Sequence, residues 1–302
     1  MLENLIQAGC FIAIIILGFL LRKFNFFNEE TFPLLSKIVL KITLPAAIIS
    51  NFSGKELDMS ILTVALVGFG SNLIYVIAGY FTGRNQNRTT QAFFIQNLPG
   101  YNIGNFIVPF AQSFLGPTGV ITASLLDVGN SVFSLGGAFS IASVVKNGNR
   151  FSPKRIGKTL IKAIAFDTYV IMTALSLLNV RLPAMVVSLA DLIGSANIFL
   201  GMLMLGVGLR IPRGKTQIRQ ISKILLLRYG MATAFALLTY FFLPFSTTVR
   251  CAVVLTLFAP IASAAPAFTN ELGGDVGLSS AVNSASVICS IVIIVFLTVF
   301  LF

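Results

Sequence analysis

The residues able to do chemistry are few, and they cluster. The stretch NLPGYNIGNFIVP, residues 97–109, places Asn97, Asn102 and Asn105 among Pro99, Gly100, Gly104 and Pro109, with apolar neighbours on both sides. Asn102 and Asn105 stand three residues apart. Amides donate hydrogen bonds to a carboxylate without the desolvation cost of a buried Lys or Arg, and a site that must release its ligand gains from neutral donors. The competing reading is that these amides only satisfy backbone groups freed by the prolines. A second stretch, LFAPIASAAPAFTNELGG, is interrupted in the same way, with Pro260, Ser263 and Pro266.

Carboxylates inside apolar runs form the second class of candidates. Asp127 in LLDVGNS has Asn130 at i+3, on the same helical face. A carboxylate at that depth is expensive and is a functional candidate by default. It could carry a proton or help hold Na⁺; alternatively it is a buried Asp that stabilises the interrupted segment. Asn283 in SSAVNSASVICS occupies a comparable place later in the chain, with Ser279, Ser280 and Ser286 near it. Asp167 and Asp191 also fall inside apolar runs and could be support sites or partners of basic residues. Glu271 and Asp275 read as a solvated turn. The tract GMLMLGVGL reads as a surface for helix packing.

Other chemistry is missing from the sequence. There is no His, and Cys10, Cys251 and Cys289 lie in apolar runs without a CxxC pair, so no metal site or disulfide framework is expected. GxSxG and GxxxxGK[ST] do not occur, so neither an enzyme nor ATP drive within this chain is expected. No cofactor is expected, with coupling to H⁺ or Na⁺ left open.

The elements that must position these residues are membrane helices. The 302 residues are 56% hydrophobic and 10% charged, with a mean hydropathy of +0.91. A soluble domain carries about 25% charged residues, so the excess apolar surface must face lipid. Apolar runs fall at 4–21, 34–53, 60–82, 90–115, 118–145, 159–180, 182–209, 221–243, 250–270 and 278–302, which predicts ten spans. The net charge of +11 is explained by topology and not by nucleic acid. Of the 21 Lys and Arg, seventeen fall at one set of span ends; Lys55, Arg181 and Arg250 fall at the other, and Arg228 lies inside span eight. This predicts both termini outside the cytoplasmic membrane. The first apolar run has Arg22 and Lys23 after it and no basic residue before it, which predicts a retained helix and not a cleaved leader.

The basic connection 146–158 separates residues 1–145 from 159–302, five spans on each side. An odd number makes the halves antiparallel, the condition for an inverted repeat. LPAAIIS (44–50) matches LPAMVVS (182–188), and PFAQSFLG (109–116) matches PAFTNELG (266–273). The fold class expected is therefore all-α and polytopic: two inverted five-helix repeats with spans four and nine broken. Open backbone in lipid is tolerated only where protein buries it or a polar cavity takes it up. The positive ends of the half-helices would favour an anion.

At these residues the chain resembles the auxin efflux carrier family of bacterial and plant transporters. NIGNFIVPFAQSFLG is similar to that family's broken fourth span, an Asn, a Gly two later and then a Pro: here Asn102, Gly104 and Pro109. APIASAAPAFTNELGGDVGLSSA is similar to its ninth span and the acidic connection after it. Val108 departs from the family, which often has a small residue near that place, and the long cytosolic loop of plant members is absent. The resemblance implies a scaffold of spans 1, 2, 6 and 7 that also forms a homodimer contact. It implies a mobile unit of spans 3–5 and 8–10 that carries an organic anion across as an elevator. Family substrates are indole-3-acetate in plants and malate- or malonate-like carboxylates in bacteria. The other class considered is an ion antiporter or Na⁺-coupled symporter of related fold, with the aspartates as primary site.

Overall fold

A computed structural model describes residues 2–28, 30–209 and 215–301; Arg210 and Arg213, counted above among the inner cations, lie outside the described residues. Every regular element among the described residues is helical. The first helix, α1 (Leu2–Lys23), is followed by α2 (Thr31–Ile38), which runs through a π turn at Val39–Thr43 into α3 (Leu44–Phe52). Pro45 explains the π turn. A proline clashes with the carbonyl four residues back, here that of Lys41, and one extra residue in the preceding turn relieves the clash without ending the helix. A 3₁₀ turn then leads into α4 (Thr63–Gly83).

The next segment is short-jointed. Helix α5 (Arg88–Asn97) starts at an Asn87 side chain that accepts from the N–H of Thr90 at 2.8 Å. Residues 98–102 are not helical, and a π turn at Ile103–Ile107 precedes α6 (Val108–Phe114). Helix α7 (Gly116–Val132) passes a third π turn, Phe133–Gly137, into α8 (Ala138–Asn147). The amphipathic α9 (Pro153–Leu160) makes a 76° corner with α10 (Ile164–Leu177). The remaining helices are α11 (Ala184–Gly208), α12 (Lys215–Phe242), α13 (Thr247–Leu257), α14 (Ala265–Glu271) and α15 (Val276–Leu301).

Seven of these helical stretches are long and apolar enough to cross a membrane, eight if the bent α9–α10 pair is one span. The chain is a polytopic, helical membrane protein. The segments 88–114 and 247–271 do not pass that test because each is broken. With 10 residues, α5 reaches only about 15 Å, half of a ~30 Å hydrocarbon core.

Helix α11 packs against α1, α3 and α2, and α3 against α10. The tract read as a packing surface is one: a Cβ on Gly206 would stand 2.0 Å from the Ile15 carbonyl oxygen, and one on Gly18 2.3 Å from that of Leu203. The matched motifs fare unequally. Pro109 and Pro266 each stand second in a seven-residue helix. Pro45 follows a π turn within a span, whereas Pro183 is the N-cap of a 25-residue helix.

Candidate functional site

The two interrupted segments meet. Tyr101 and Ile261 form an antiparallel bridge, the Asn102 N–H donates to the Pro260 carbonyl at 2.9 Å, and the Ala262 N–H donates to that of Gly100 at 3.1 Å. Gly100 adopts a φ of 83°, which a side chain would strain. Side chains take up the other backbone groups. Asn72 on α4 accepts from the Gly100 N–H at 2.6 Å. Asn130 on α7 accepts from the Tyr101 N–H at 2.8 Å and donates to the Tyr101 carbonyl at 2.9 Å. On α15, Ser286 accepts from the Ile261 N–H at 3.0 Å, while Asn283 donates to the carbonyls of Ile261 at 2.8 Å and Ala262 at 3.1 Å. One asparagine from α7 and one from α15 thus hold the two partners of the bridge. Partners of this kind are what permit non-helical backbone at membrane depth.

Arg228 on α12 closes the back of this arrangement. It is 1% exposed, and its guanidinium donates to the carbonyls of Leu98, Gly100, Ala259 and Pro260. These carbonyls lie just beyond the C-terminal ends of α5 and α13, where the helix dipoles are negative. The guanidinium also lies 5.3 Å from the Tyr75 ring centroid and 5.1 Å from that of Tyr101.

In front of the bridge is a cavity of about 230 Å³. All three π turns open onto it, through Leu40 and Lys41, through Ile103, Gly104 and Asn105, and through Ser134 and Leu135. Asn102, Asp127 and Ser263 line it as well. The Asn105 amide donates to Ser263 Oγ at 3.3 Å, and its buried Oδ1 has no hydrogen-bond partner among the described residues. Asp127 accepts from Asn130 at 2.8 Å through one oxygen and from the Tyr169 hydroxyl of α10 at 3.0 Å through the other. A second cavity of about 330 Å³ is lined by Arg22, Ser263, Pro266, Ser280, Asn283 and Ser284. Asn102, Ser263 and Asn283 line a narrow space of about 20 Å³ beside it.

The sequence-predicted residues therefore divide. Asn102, Gly104, Asn105, Asp127 and Ser263 line the first cavity, Pro266 and Asn283 line the second, and Asn130 and Pro260 hold the backbone between them. Pro109 lines none of these cavities: it sits in the first turn of α6, after the π turn at Ile103–Ile107, and the non-helical stretch is 98–102. Asp191 is exposed and accepts from Ser50 at 2.8 Å between α3 and α11, and Asp167 stands in the first turn of α10. Neither lines the cavities described above.

Sequence reasoning left Arg228 unassigned and missed Asn72 and Tyr169. An arginine in an apolar run with no acidic residue within a turn was the available signal for Arg228; it must find carbonyls or leave a charge unsatisfied. Among the described residues no group of three or more His, Cys, Asp or Glu could hold a metal ion. Compared with known proteins, the chain matches no family model and no curated sequence.

Proposed function

We propose that this chain is a secondary carrier of a small organic anion, a mono- or dicarboxylate, working by alternating access around the bridge between its two interrupted segments. The observation that carries the reading is the cavity beside that bridge, where the Asn102 and Asn105 amides and Ser263 stand on broken helices. Neutral donors of this kind bind and release a carboxylate at moderate cost. The resemblance of NIGNFIVPFAQSFLG to the auxin efflux carrier family supports the same substrate class.

In this reading the two broken segments complete ten spans in two inverted halves, in the cytoplasmic membrane with both termini outside. Helices α1, α2–α3, α10 and α11 form the dimeric scaffold, and α4–α8 with α12–α15 carry the site as an elevator. The hydrogen bonds from Thr43 to Asn197 at 3.0 Å and from Ser50 to Asp191 fall inside the first group, and the Arg228 and asparagine clamps inside the second. The Tyr169–Asp127 bond runs between the groups. That bond also favours a second reading, an ion antiporter or Na⁺-coupled symporter with Asp127 as its primary site.

Flux into proteoliposomes separates the two. Saturable carboxylate uptake that is lost in Asn102→Ala supports the carrier. Na⁺/H⁺ exchange with no carboxylate flux sinks it.

A further inference from the structure

Two lysines, both exposed, line the first cavity from elements that are not the broken segments. Lys41 stands in the π turn between α2 and α3, and Lys162 at the corner between α9 and α10. Neither has a hydrogen-bond or ion-pair partner among the described residues. The one carboxylate lining the cavity, Asp127, is engaged by Asn130 and Tyr169. The amides Asn102 and Asn105 reach the same space from the broken segment. An anion here would share one space with neutral amides on the broken segment and with unpaired lysines on other elements.

We infer that Lys41 and Lys162 are specificity-determining contacts that read a ligand's negative charge from the scaffold side, and that they do so only while the site faces the membrane side onto which they open. This rests on the carrier reading above. The placement of the lysines is what carries it. The amides belong to the unit that would travel, whereas the lysines belong to α2–α3 and the α9–α10 corner, which would stay. When the site moves, the ligand keeps its amides and leaves the lysines behind. Binding is then electrostatically reinforced on one side and not on the other. The class of ligand is a small carboxylate anion, since 230 Å³ lies below the ~300–1,000 Å³ typical of drug-sized sites.

The test uses the full chain in proteoliposomes sorted by orientation. Uptake of acetate, lactate, malonate, succinate and malate is measured from each face, and the best substrate is carried forward. In Lys41→Gln/Lys162→Gln the KM from the lysine-bearing face is expected to rise roughly tenfold, the effect of removing two nearby charges at intermediate dielectric. The KM from the opposite face is expected to stay within about twofold, which also shows that the variant folds. Raising ionic strength should lift the wild-type KM on the lysine face and leave the double variant's flat, because screening acts only where the charges remain. Lys41→Arg/Lys162→Arg should keep the wild-type asymmetry. Equal changes on both faces, or no change on either, overturn the inference while leaving a working carrier. If no carboxylate is transported by the wild type, the carrier reading falls, and this one with it.

Discussion

Nη2 of Arg228 donates to the carbonyl oxygen of Gly100 at 3.0 Å, across 128 residues of chain. The same guanidinium reaches Leu98, Ala259 and Pro260, so one side chain satisfies carbonyls on both interrupted segments. The Gly100 and Pro260 carbonyls also accept from the Ala262 and Asn102 N–H groups, so it is the Leu98 and Ala259 carbonyls that loss of the guanidinium would leave unpaired, at about 1–3 kcal/mol each in an apolar interior. Arg228→Met is therefore expected to destabilise the protein by at least about 2 kcal/mol. Arg228→Lys keeps the charge with fewer directed donors and should fall between. Thermal unfolding in detergent measures both, and a wild-type melting point for Arg228→Met would contradict the role assigned to this residue.

The two asparagine clamps should not be equal. Asn130 serves the Tyr101 N–H, the Tyr101 carbonyl and the Asp127 carboxylate, whereas Asn283 serves two carbonyls. Truncating Asn130 strands a backbone donor and an acceptor and removes a hydrogen bond to a carboxylate. Asn130→Ala is expected to cost on the order of 3 kcal/mol and Asn283→Ala about 1–2 kcal/mol. Equilibrium unfolding of the two variants side by side reads the order, and a larger loss for Asn283→Ala would show that the α15 clamp, not the α7 clamp, holds the bridge.

How much of this was legible depends on what kind of signal a residue gives. The long apolar runs mark the membrane helices because nothing else accommodates so little charge, and Pro99 with Gly100 and Pro260 fall where the helices stop. Pro109 does not mark the open stretch, because a proline has two outcomes, an open helix or a π turn, and the choice depends on what packs against it. Here Gly201 of α11 lies against its ring, where a Cβ would stand 3.1 Å from the proline Cγ. The LPA motif misleads for a related reason: Pro45 within a span and Pro183 before one are alike only as letters. Lys41 reads as a topology signal by position, and only the π turn puts it on the cavity. Asn72 and Tyr169 give no local signal for the site, since the partners that place them there, Gly100 and Asp127, lie 28 and 42 residues away.

The Tyr169–Asp127 bond should be measurable as a coupling. Tyr169 is buried on α10 and its hydroxyl meets Asp127 Oδ2 at 3.0 Å. Tyr169→Phe leaves the carboxylate with Asn130 alone, at an expected cost of about 1.5–3 kcal/mol for a bond to a charged group. In Asp127→Asn the carboxylate is already gone, so the same change should cost clearly less. A double-mutant cycle of unfolding free energies is expected to return a coupling of about 1–2 kcal/mol. Additivity within experimental error would mean that the two side chains are neighbours without being partners.

The contact between α4 and α7 sets the position of the asparagines and should tolerate no added volume. A Cβ on Gly129 of α7 would stand 1.9 Å from the Ala65 carbonyl oxygen, and one on Gly68 of α4 would stand 2.2 Å from that of Leu126. The two glycines face each other's helix, so the backbones approach closely, as small residues allow at membrane helix interfaces. Asn72 on α4 and Asn130 on α7 bond across this same contact at 3.2 Å. Gly129→Ala must push the helices apart, stretch that bond and move both asparagines relative to the bridge. Overpacking of this kind costs about 1–3 kcal/mol. Gly70, two residues from Gly68 on α4, has nothing within 4 Å of a built Cβ. Gly70→Ala should therefore be neutral or stabilising by up to about 1 kcal/mol through helix propensity alone. Folded yield and melting point of the two variants decide the matter, and equal behaviour would mean that the close approach of α4 and α7 does not position the clamps.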